Sequence, residues 1–254
     1  MARTAEKMKT GSYKRYIGEL RRYCRIQGWS LEKIGHAGRR GEHGLFKAVA
    51  GRRTRPAAVV CFAAGIHGDE TSGPWAALEL IRRFDWRTLR RTKVVILPLC
   101  NPWGFEHHRR INAQGADLNR RFLERRLHQE ARLLYAAAKK EKPAVFASFH
   151  EDDESEGFYM FAYNKKGRES DIHQDILRLI RRQMPVSRFR STEKYDAKSG
   201  LVFNFEDGSF EHRMHHDGVP ECLCVEMPDR LPLKKRVELN SAVMEVIIGH
   251  HENR

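Results

Sequence analysis

The chain has 254 residues, of which 41% are hydrophobic and 31% are charged, a balance typical of a soluble globular protein. Its apolar runs are too short to cross a membrane, so we expect neither a transmembrane helix nor a membrane partner. The formal net charge of +14 would attract many anions, but no nucleic-acid-binding motif accompanies it, so a nucleic-acid partner is not expected.

The apolar segments are spread along the whole chain, which predicts a single domain over 1–254 with 1–40 as an N-terminal helix and strand extension. The first residues lack the apolar segment of a secretory signal, which makes the cytoplasm the expected location. Five cysteines without regular spacing are expected to be reduced thiols in the core. No oligomeric state is predicted.

The first half of the chain alternates between helical and extended patterns. Apolar residues at helical spacing predict a helix over 12–25, followed by strands over 29–34 and 45–49. The continuous apolar run over 57–64 is typical of a strand buried on both faces of a parallel sheet. A polar turn follows this run, and then a helix with Pro74 in its first turn.

The second half continues the alternation. Buried strands are predicted over 94–99 and 144–149, with a helix over 123–139 between them. The remaining predicted elements are a strand over 223–225, helices over 172–180 and 237–247, and a surface loop over 189–208 that could form the rim of an active site. This order predicts an α/β fold, with a doubly wound, mixed but mainly parallel sheet and helices on both faces.

Polar side chains follow the buried strands, at the edge where ligands collect in parallel sheets. His67 and Glu70 lie in the turn after the 57–64 strand, and His150 follows the 144–149 strand. Two imidazoles and a carboxylate are a ligand set of catalytic zinc, which keeps one position open for water. These three residues therefore predict a site for one zinc ion.

Further polar residues around the same edge suit the hydrolysis of an amide. Arg110 and Arg120 carry guanidinium groups that could capture a carboxylate or stabilise an oxyanion. Glu226 follows the 223–225 strand, where a carboxylate beside zinc could act as general base and then protonate the leaving amine.

Six short segments lie in order between residues 57 and 248. They are Gly65-Ile66-His67-Gly68-Asp69-Glu70, Asn101-Pro102-Trp103-Gly104, Arg110-Ile111-Asn112, Asp117-Leu118-Asn119-Arg120, His150 and Val225-Glu226-Met227-Pro228. In order and spacing they resemble the zinc carboxypeptidase family typified by carboxypeptidase A, in particular its murein peptide amidase branch. The resemblance implies a metallopeptidase that cleaves an amide bond beside a carboxylate in a small peptide.

The resemblance also implies residue roles. His67, Glu70 and His150 would bind zinc. Glu226 would be the general base and acid, and Arg110 would polarise the scissile carbonyl.

Three more residues match the family pattern near the substrate. Asn119 and Arg120 would clamp the terminal carboxylate of the substrate. Asp117 would hydrogen-bond the far nitrogen of His67, as carboxylates commonly do to zinc-bound imidazoles; a capping or turn role for Asp117 stays open.

Two features depart from the pattern. The substrate-capping tyrosine of the family has no counterpart in 200–206, and Tyr195 is poorly placed, so we assign this role to no residue. The run over 151–156 is strongly acidic. It could be a solvated loop, could face a substrate amino group, or could hold a second metal.

Two alternatives to the peptidase hypothesis remain. The aspartoacylase and succinylglutamate desuccinylase group shares His67, Glu70, the Asn119-Arg120 pair and the third histidine, and it cleaves N-acyl amino acids. A basic nucleic-acid-binding protein on an inactive hydrolase scaffold is disfavoured, because such a scaffold would not need a complete ligand set and Glu226.

Overall fold

The computed structural model of the protein describes residues 12–51, 54–187 and 199–254. These ranges contain one eight-stranded sheet. Its strands are β1 (Ser30–Ala37), β2 (His43–Gly51), β3 (Ala58–Ala64), β4 (Thr92–Leu97), β5 (Val145–Asp152), β6 (Tyr159–Asn164), β7 (Leu201–Phe203) and β8 (Glu221–Pro228).

The sheet is mixed, with parallel strands at its centre. Its order is β1-β2-β4-β3-β5-β8-β6-β7, and the central strands β4, β3, β5 and β8 run parallel. At one edge β1, β2 and β4 pair antiparallel, and at the other β6 is antiparallel to β8 and parallel to β7. The predicted mixed, mainly parallel sheet is confirmed, and the ends of β3, β5 and β8 meet at one edge.

Helices cover both faces of this sheet. They are α1 (Tyr13–Gln27), α2 (Ser72–Arg83), α3 (Pro102–His107), α4 (Gln129–Lys139), α5 (Asp171–Arg181), α6 (Phe210–His216) and α7 (Leu233–Glu252). Apolar residues of α1, α2, α5 and α7 share one core cluster with Phe62 of β3, whereas those of α4 and α6 share another with its neighbour Cys61. Because successive strand residues face opposite sides, the two clusters lie on the two faces. The predicted doubly wound arrangement is thus confirmed.

The N-terminal helix α1 packs firmly on the sheet layer. Tyr16, Leu20 and Cys24 recur at four-residue spacing and are almost fully buried, which gives the helix its apolar face. The hydroxyl of Ser12 accepts a hydrogen bond from a first-turn amide, and Gly28 ends the helix with a φ of 75°. Among the described residues, no helix combines the length and the apolar character needed to cross a membrane.

The helix predicted over 123–139 begins later, at Gln129. The amide of Phe122 donates to the carbonyl of Gly208 at 3.0 Å, and its ring stacks on Phe210 with centroids 4.2 Å apart. These tertiary contacts fix the preceding segment in a turn, which overrides its local helical pattern.

Strand ends also differ from expectation. Both β5 and β8 continue past their predicted ends, so His150 and Glu226 lie inside the strands and pair with each other across the ladder. The predicted loop over 189–208 is wrong at β7, whose residues pair with β6. Residues 188–198 lie outside the described part of the chain.

Candidate active site

The turn after β3 carries His67 and Glu70 and is clamped against α3. A Cβ atom on Gly68 would lie 2.0 Å from the carbonyl carbon of Gly104, so only glycine allows this approach of two backbones. The amide of Gly68 also donates to the carbonyl of Arg109 at 3.1 Å. This packing fixes where the two side chains enter the cleft.

The three predicted metal ligands converge at the edge of the sheet. Nδ1 of His67 lies 2.6 Å from Oε1 of Glu70, and Nδ1 of His150 lies 2.7 Å from Oε2 of Glu70. The two Nδ1 atoms are 3.1 Å apart. All three side chains are buried. Two imidazole nitrogens and a carboxylate converging in this way suit a divalent cation such as zinc.

The electrostatics of this cluster favour a positive charge among the three ligand side chains. Burial alone would lower the pKa of His67, but the charge of Glu70 and the hydrogen bonds that the imidazole donates to Asp117 and Glu70 raise it to about 9. Burial alone would raise the pKa of Glu70, but the charges of His67 and His150 hold it well below its ordinary range. A divalent cation between these side chains would supply the positive charge that protonated histidines otherwise provide. The donor set therefore fits a metal.

Asp117 and Arg110 support this cluster from one side. Oδ1 of Asp117 lies 3.1 Å from Nε2 of His67, on the ring nitrogen that does not face Glu70. Nε of Arg110 donates to Oδ2 of Asp117 at 3.0 Å, and its Nη1 lies 3.4 Å from Oε1 of Glu70. The Arg110 side chain is 45% exposed, so it remains accessible from the cleft.

Glu226 lies beside the ligands within the sheet. It pairs with His150 on β5 and with Tyr159 on β6, so the three side chains share one face. Burial raises the pKa of Glu226 to about 8; the charge of Glu70 adds to this rise, whereas that of His150 opposes it. A carboxyl group that titrates near neutral pH suits proton transfer.

The predicted carboxylate clamp is only partly free. Oδ1 of Asn119 accepts a hydrogen bond from the amide of Phe210 at 3.0 Å, and its Nδ2 lies 3.3 Å from Nε2 of His150. Nη1 of Arg120 forms an ion pair with Asp207 at 3.1 Å, and this arginine is 44% exposed. Arg120 can therefore contact a ligand, whereas the side-chain amide of Asn119 is already engaged in contacts within the protein.

One cleft of about 170 Å³ brings most of these groups together. The predicted residues that line it are His67, Glu70, Arg110, Asn119, Arg120, His150 and Glu226, while Asp117 lies behind His67. Sequence reasoning missed Tyr159, Phe161, Tyr163, Asp207, Ser209 and Glu211, which also line the cleft. The alternation of aromatic residues over 159–163 was an available signal for a strand with one face in the cleft.

Glu211 has a special position among the missed residues. It is fully buried on α6, and its Oε1 has no hydrogen-bond partner in the described part of the chain. Its Oε2 lies 3.5 Å from Nδ2 of Asn119. A buried, unpaired carboxylate oxygen is costly, so it offers an acceptor to a donor group that enters the cleft.

The acidic run over 151–156 does not act as a unit. Glu151 is buried, accepts from the amide of Ser72 at 3.1 Å and pairs with Arg236 at 2.6 Å, so it holds helices in place. Asp152 and Asp153 line the cleft. Tyr195, considered for substrate capping, lies outside the described residues.

Comparison with known proteins agrees with this geometry. Residues 56–236 match the succinylglutamate desuccinylase/aspartoacylase catalytic domain. The chain belongs to this family. Its members are hydrolases, so the prediction of a hydrolase is confirmed. This group is the enzymatic alternative to the peptidase hypothesis. No curated protein sequence matches the chain.

Solved structures show that this member of the family has the carboxypeptidase fold. A Shewanella amazonensis protein assigned to the metallopeptidases is 24% identical with a TM-score of 0.85, over 96% of this chain and 95% of that one. A metallo-carboxypeptidase from Burkholderia cenocepacia is 19% identical with a TM-score of 0.71, over 93% and 68%. The murein-tripeptide amidase of Escherichia coli O157 is 21% identical with a TM-score of 0.61, over 86% and 91%. The predicted resemblance to the zinc carboxypeptidases is confirmed for the fold.

Proposed function

We propose that the protein is a hydrolase that binds one zinc ion and cleaves an amide bond beside a carboxylate in a small peptide. The observation that carries this proposal is the convergence of His67, Glu70 and His150, with Glu226 next to His150 in the sheet. Three protein ligands leave one position for water, which is the arrangement of catalytic rather than structural zinc.

Each catalytic step has a residue suited to it. When bound, zinc would supply a Lewis acid that acidifies water and polarises a carbonyl. Glu226 takes the proton of the attacking water and gives it to the leaving amine, since it lies next to His150 in the sheet and lines the cleft. Arg110 faces the negative charge that develops on the carbonyl oxygen, since its guanidinium group is partly exposed beside Glu70.

The cleft indicates a small, polar substrate. Its volume of about 170 Å³ suits an amino acid side chain or a short acyl group better than a folded protein. Arg120 is placed to bind a carboxylate, and the unpaired oxygen of Glu211 is placed to accept a hydrogen bond from the substrate. Both groups favour a substrate that carries a carboxylate and a hydrogen-bond donor.

Family membership supports a second candidate, the cleavage of an N-acyl amino acid. The matched domain is that of desuccinylases and aspartoacylases, whose names describe action on an acyl group. The same zinc ligands, Glu226 and Arg110 would carry out this reaction, because both substrates present an amide carbonyl near a carboxylate. The two candidates differ only in what the cleft binds around that amide.

One screen tests the function and separates the candidates. The purified protein is loaded with zinc, its metal content is measured, and it is offered murein-type peptides, other dipeptides with a free carboxyl terminus, and N-acyl amino acids. We expect about one zinc per chain and turnover of peptides above that of acyl amino acids. The reverse preference would establish the deacylase, and a chain that binds no zinc would refute both.

Glu226→Gln is the matched control for the screen. It keeps the size of the side chain but cannot take a proton, so we expect a loss in kcat of about 10²–10⁴-fold. Zinc content should stay unchanged. Wild-type turnover by this variant would show that Glu226 is not the general base.

A further inference from the structure

The loop over 110–117 is folded around the side chain of Asn112. Oδ1 of Asn112 accepts hydrogen bonds from the amides of Gln114 at 3.1 Å and Ala116 at 2.9 Å. The backbone amide of Asn112 donates to the carbonyl of Ala116 at 2.9 Å. Asn112 is 1% exposed, so these bonds form without competition from water. The loop is therefore a closed turn whose shape depends on one side chain.

Glu130 anchors this turn to the rest of the protein. It lies in the first turn of α4, is 3% exposed, and accepts a hydrogen bond from Nδ2 of Asn112. Its other oxygen accepts from the amide of Gly38 at 3.2 Å. One buried carboxylate thus joins the loop, the helix and the turn between β1 and β2. Removing either partner would leave a buried polar group without a bond.

The turn between β1 and β2 also contacts the loop directly. Nε of Arg39 donates to the carbonyl of Ala113 at 3.3 Å, and the side-chain amide of Gln114 lies 3.4 Å from the carbonyl of Gly38. Gly38 and Arg39 precede the segment 56–236 that matches the family domain. A part of the chain outside the matched domain therefore supports the loop.

The two ends of the loop contact the proposed metal ligands. Arg110 begins the loop and contacts Glu70, and Asp117 ends it and contacts His67. We propose that Asn112 and Glu130, with the β1–β2 turn, are positioning residues that hold Arg110 against the reacting carbonyl and Asp117 against His67. This inference rests on the proposed function and assigns no chemical step to either residue.

A donor and acceptor swap tests the proposal. In Asn112→Asp the new carboxylate faces the carboxylate of Glu130. In Glu130→Gln the new side-chain NH2 group faces an N–H donor, either that of Asn112 or that of Gly38. In the double variant the new glutamine donates to the new aspartate, whose other oxygen still accepts from the amides of Gln114 and Ala116. We expect each single variant to lower kcat per zinc-loaded site about 10-fold or more with little change in KM. The double variant should recover most of this loss.

Zinc affinity gives a readout that does not depend on turnover. Because Asp117 orients His67, each single variant should weaken zinc binding by about 10-fold, and the double variant should restore it. If the wild-type protein hydrolyses none of the screened substrates, the proposed function fails, while the affinity series still decides this inference. Single variants with wild-type kcat and affinity, or a folded double variant without recovery, would overturn it.

Two further variants guard against a general loss of stability. Glu141→Gln removes a partly buried ion pair with Lys47 at 2.8 Å, at the far end of α4 from Glu130, so it should lower the unfolding temperature without changing zinc affinity. Arg39→Ala removes only a surface contact and should fold normally. We expect it to weaken zinc affinity and kcat measurably, in the same direction as Glu130→Gln, and unchanged values would count against the role of the β1–β2 turn.

Discussion

Oδ1 of Asp117 lies 3.1 Å from Nε2 of His67, while Nδ1 of the same ring faces Glu70. Since Asp117 accepts the Nε2 proton, the lone pair of Nδ1 is directed into the cluster. The two residues are far apart in the chain, so this contact couples the turn after β3 to the 110–117 loop.

Replacing this carboxylate should weaken the metal site without disturbing the fold. Asp117→Asn keeps an acceptor oxygen but removes the negative charge that makes the imidazole more basic. We expect zinc affinity to fall by about 10–100-fold, measured by competition with a chelator. Glu156→Gln, whose side chain is 92% exposed, is the matched control and should bind zinc as the wild type does. Equal affinity of both variants would show that Asp117 does not tune His67.

The convergence of the three proposed metal ligands could be predicted from the sequence because their position follows from the topology of the sheet. Parallel buried strands end at one edge, so polar residues after such strands must come close together. His67, Glu70 and His150 satisfy this rule, although β5 continues through His150. The structure brings the three side chains within hydrogen-bond distance of one another.

The other wall of the cleft could not be predicted in the same way. Glu211 and Asp207 enter it because Phe210 stacks on Phe122 and pulls α6 against the sheet. That contact joins segments far apart in the chain, so it cannot be predicted from local sequence patterns. Tyr159 lies on β6, which runs antiparallel to β8, so the rule for parallel strand ends did not select it.

The stability of the metal-free protein should depend on pH through Glu226. Burial raises the pKa of this carboxyl from 4.5 to about 8, so between these values the folded protein keeps a proton that the unfolded chain has lost. Stability therefore falls as pH rises through this window. Glu226→Gln removes the cost of charging this partly buried carboxyl group.

We expect Glu226→Gln to be more stable than the wild type by up to about 4 kcal/mol near pH 8, since the pKa rises from 4.5 to about 8 on folding and one pKa unit corresponds to about 1.4 kcal/mol. Near pH 4, where both states of the wild type are largely protonated, the two proteins should differ little. Urea unfolding of metal-stripped protein at several pH values measures this. A stability difference that is constant across the pH range would contradict the predicted titration.

Arg110 should act on the transition state more than on substrate binding. Arg110→Ala removes the guanidinium group that lies 3.4 Å from Glu70 and faces the cleft. We expect kcat to fall by about 10²–10³-fold, with a much smaller change in KM. A phosphinate that mimics the tetrahedral transition state should lose affinity in parallel with kcat. If KM rises while kcat is retained, Arg110 binds the ground state and the oxyanion role is wrong.

The close approach of Gly68 and Gly104 should control both stability and metal binding. In Gly68→Ala the new methyl group would lie 2.0 Å from the Gly104 backbone, so the turn carrying His67 and Glu70 must move. We expect a destabilisation of about 1–3 kcal/mol in urea unfolding together with weaker zinc binding. Gly18→Ala is the matched control, since the new methyl group meets nothing within 4 Å in α1 and should stabilise the helix by up to about 1 kcal/mol. Unchanged zinc affinity in Gly68→Ala would mean that the turn accommodates the methyl group without displacing His67 and Glu70.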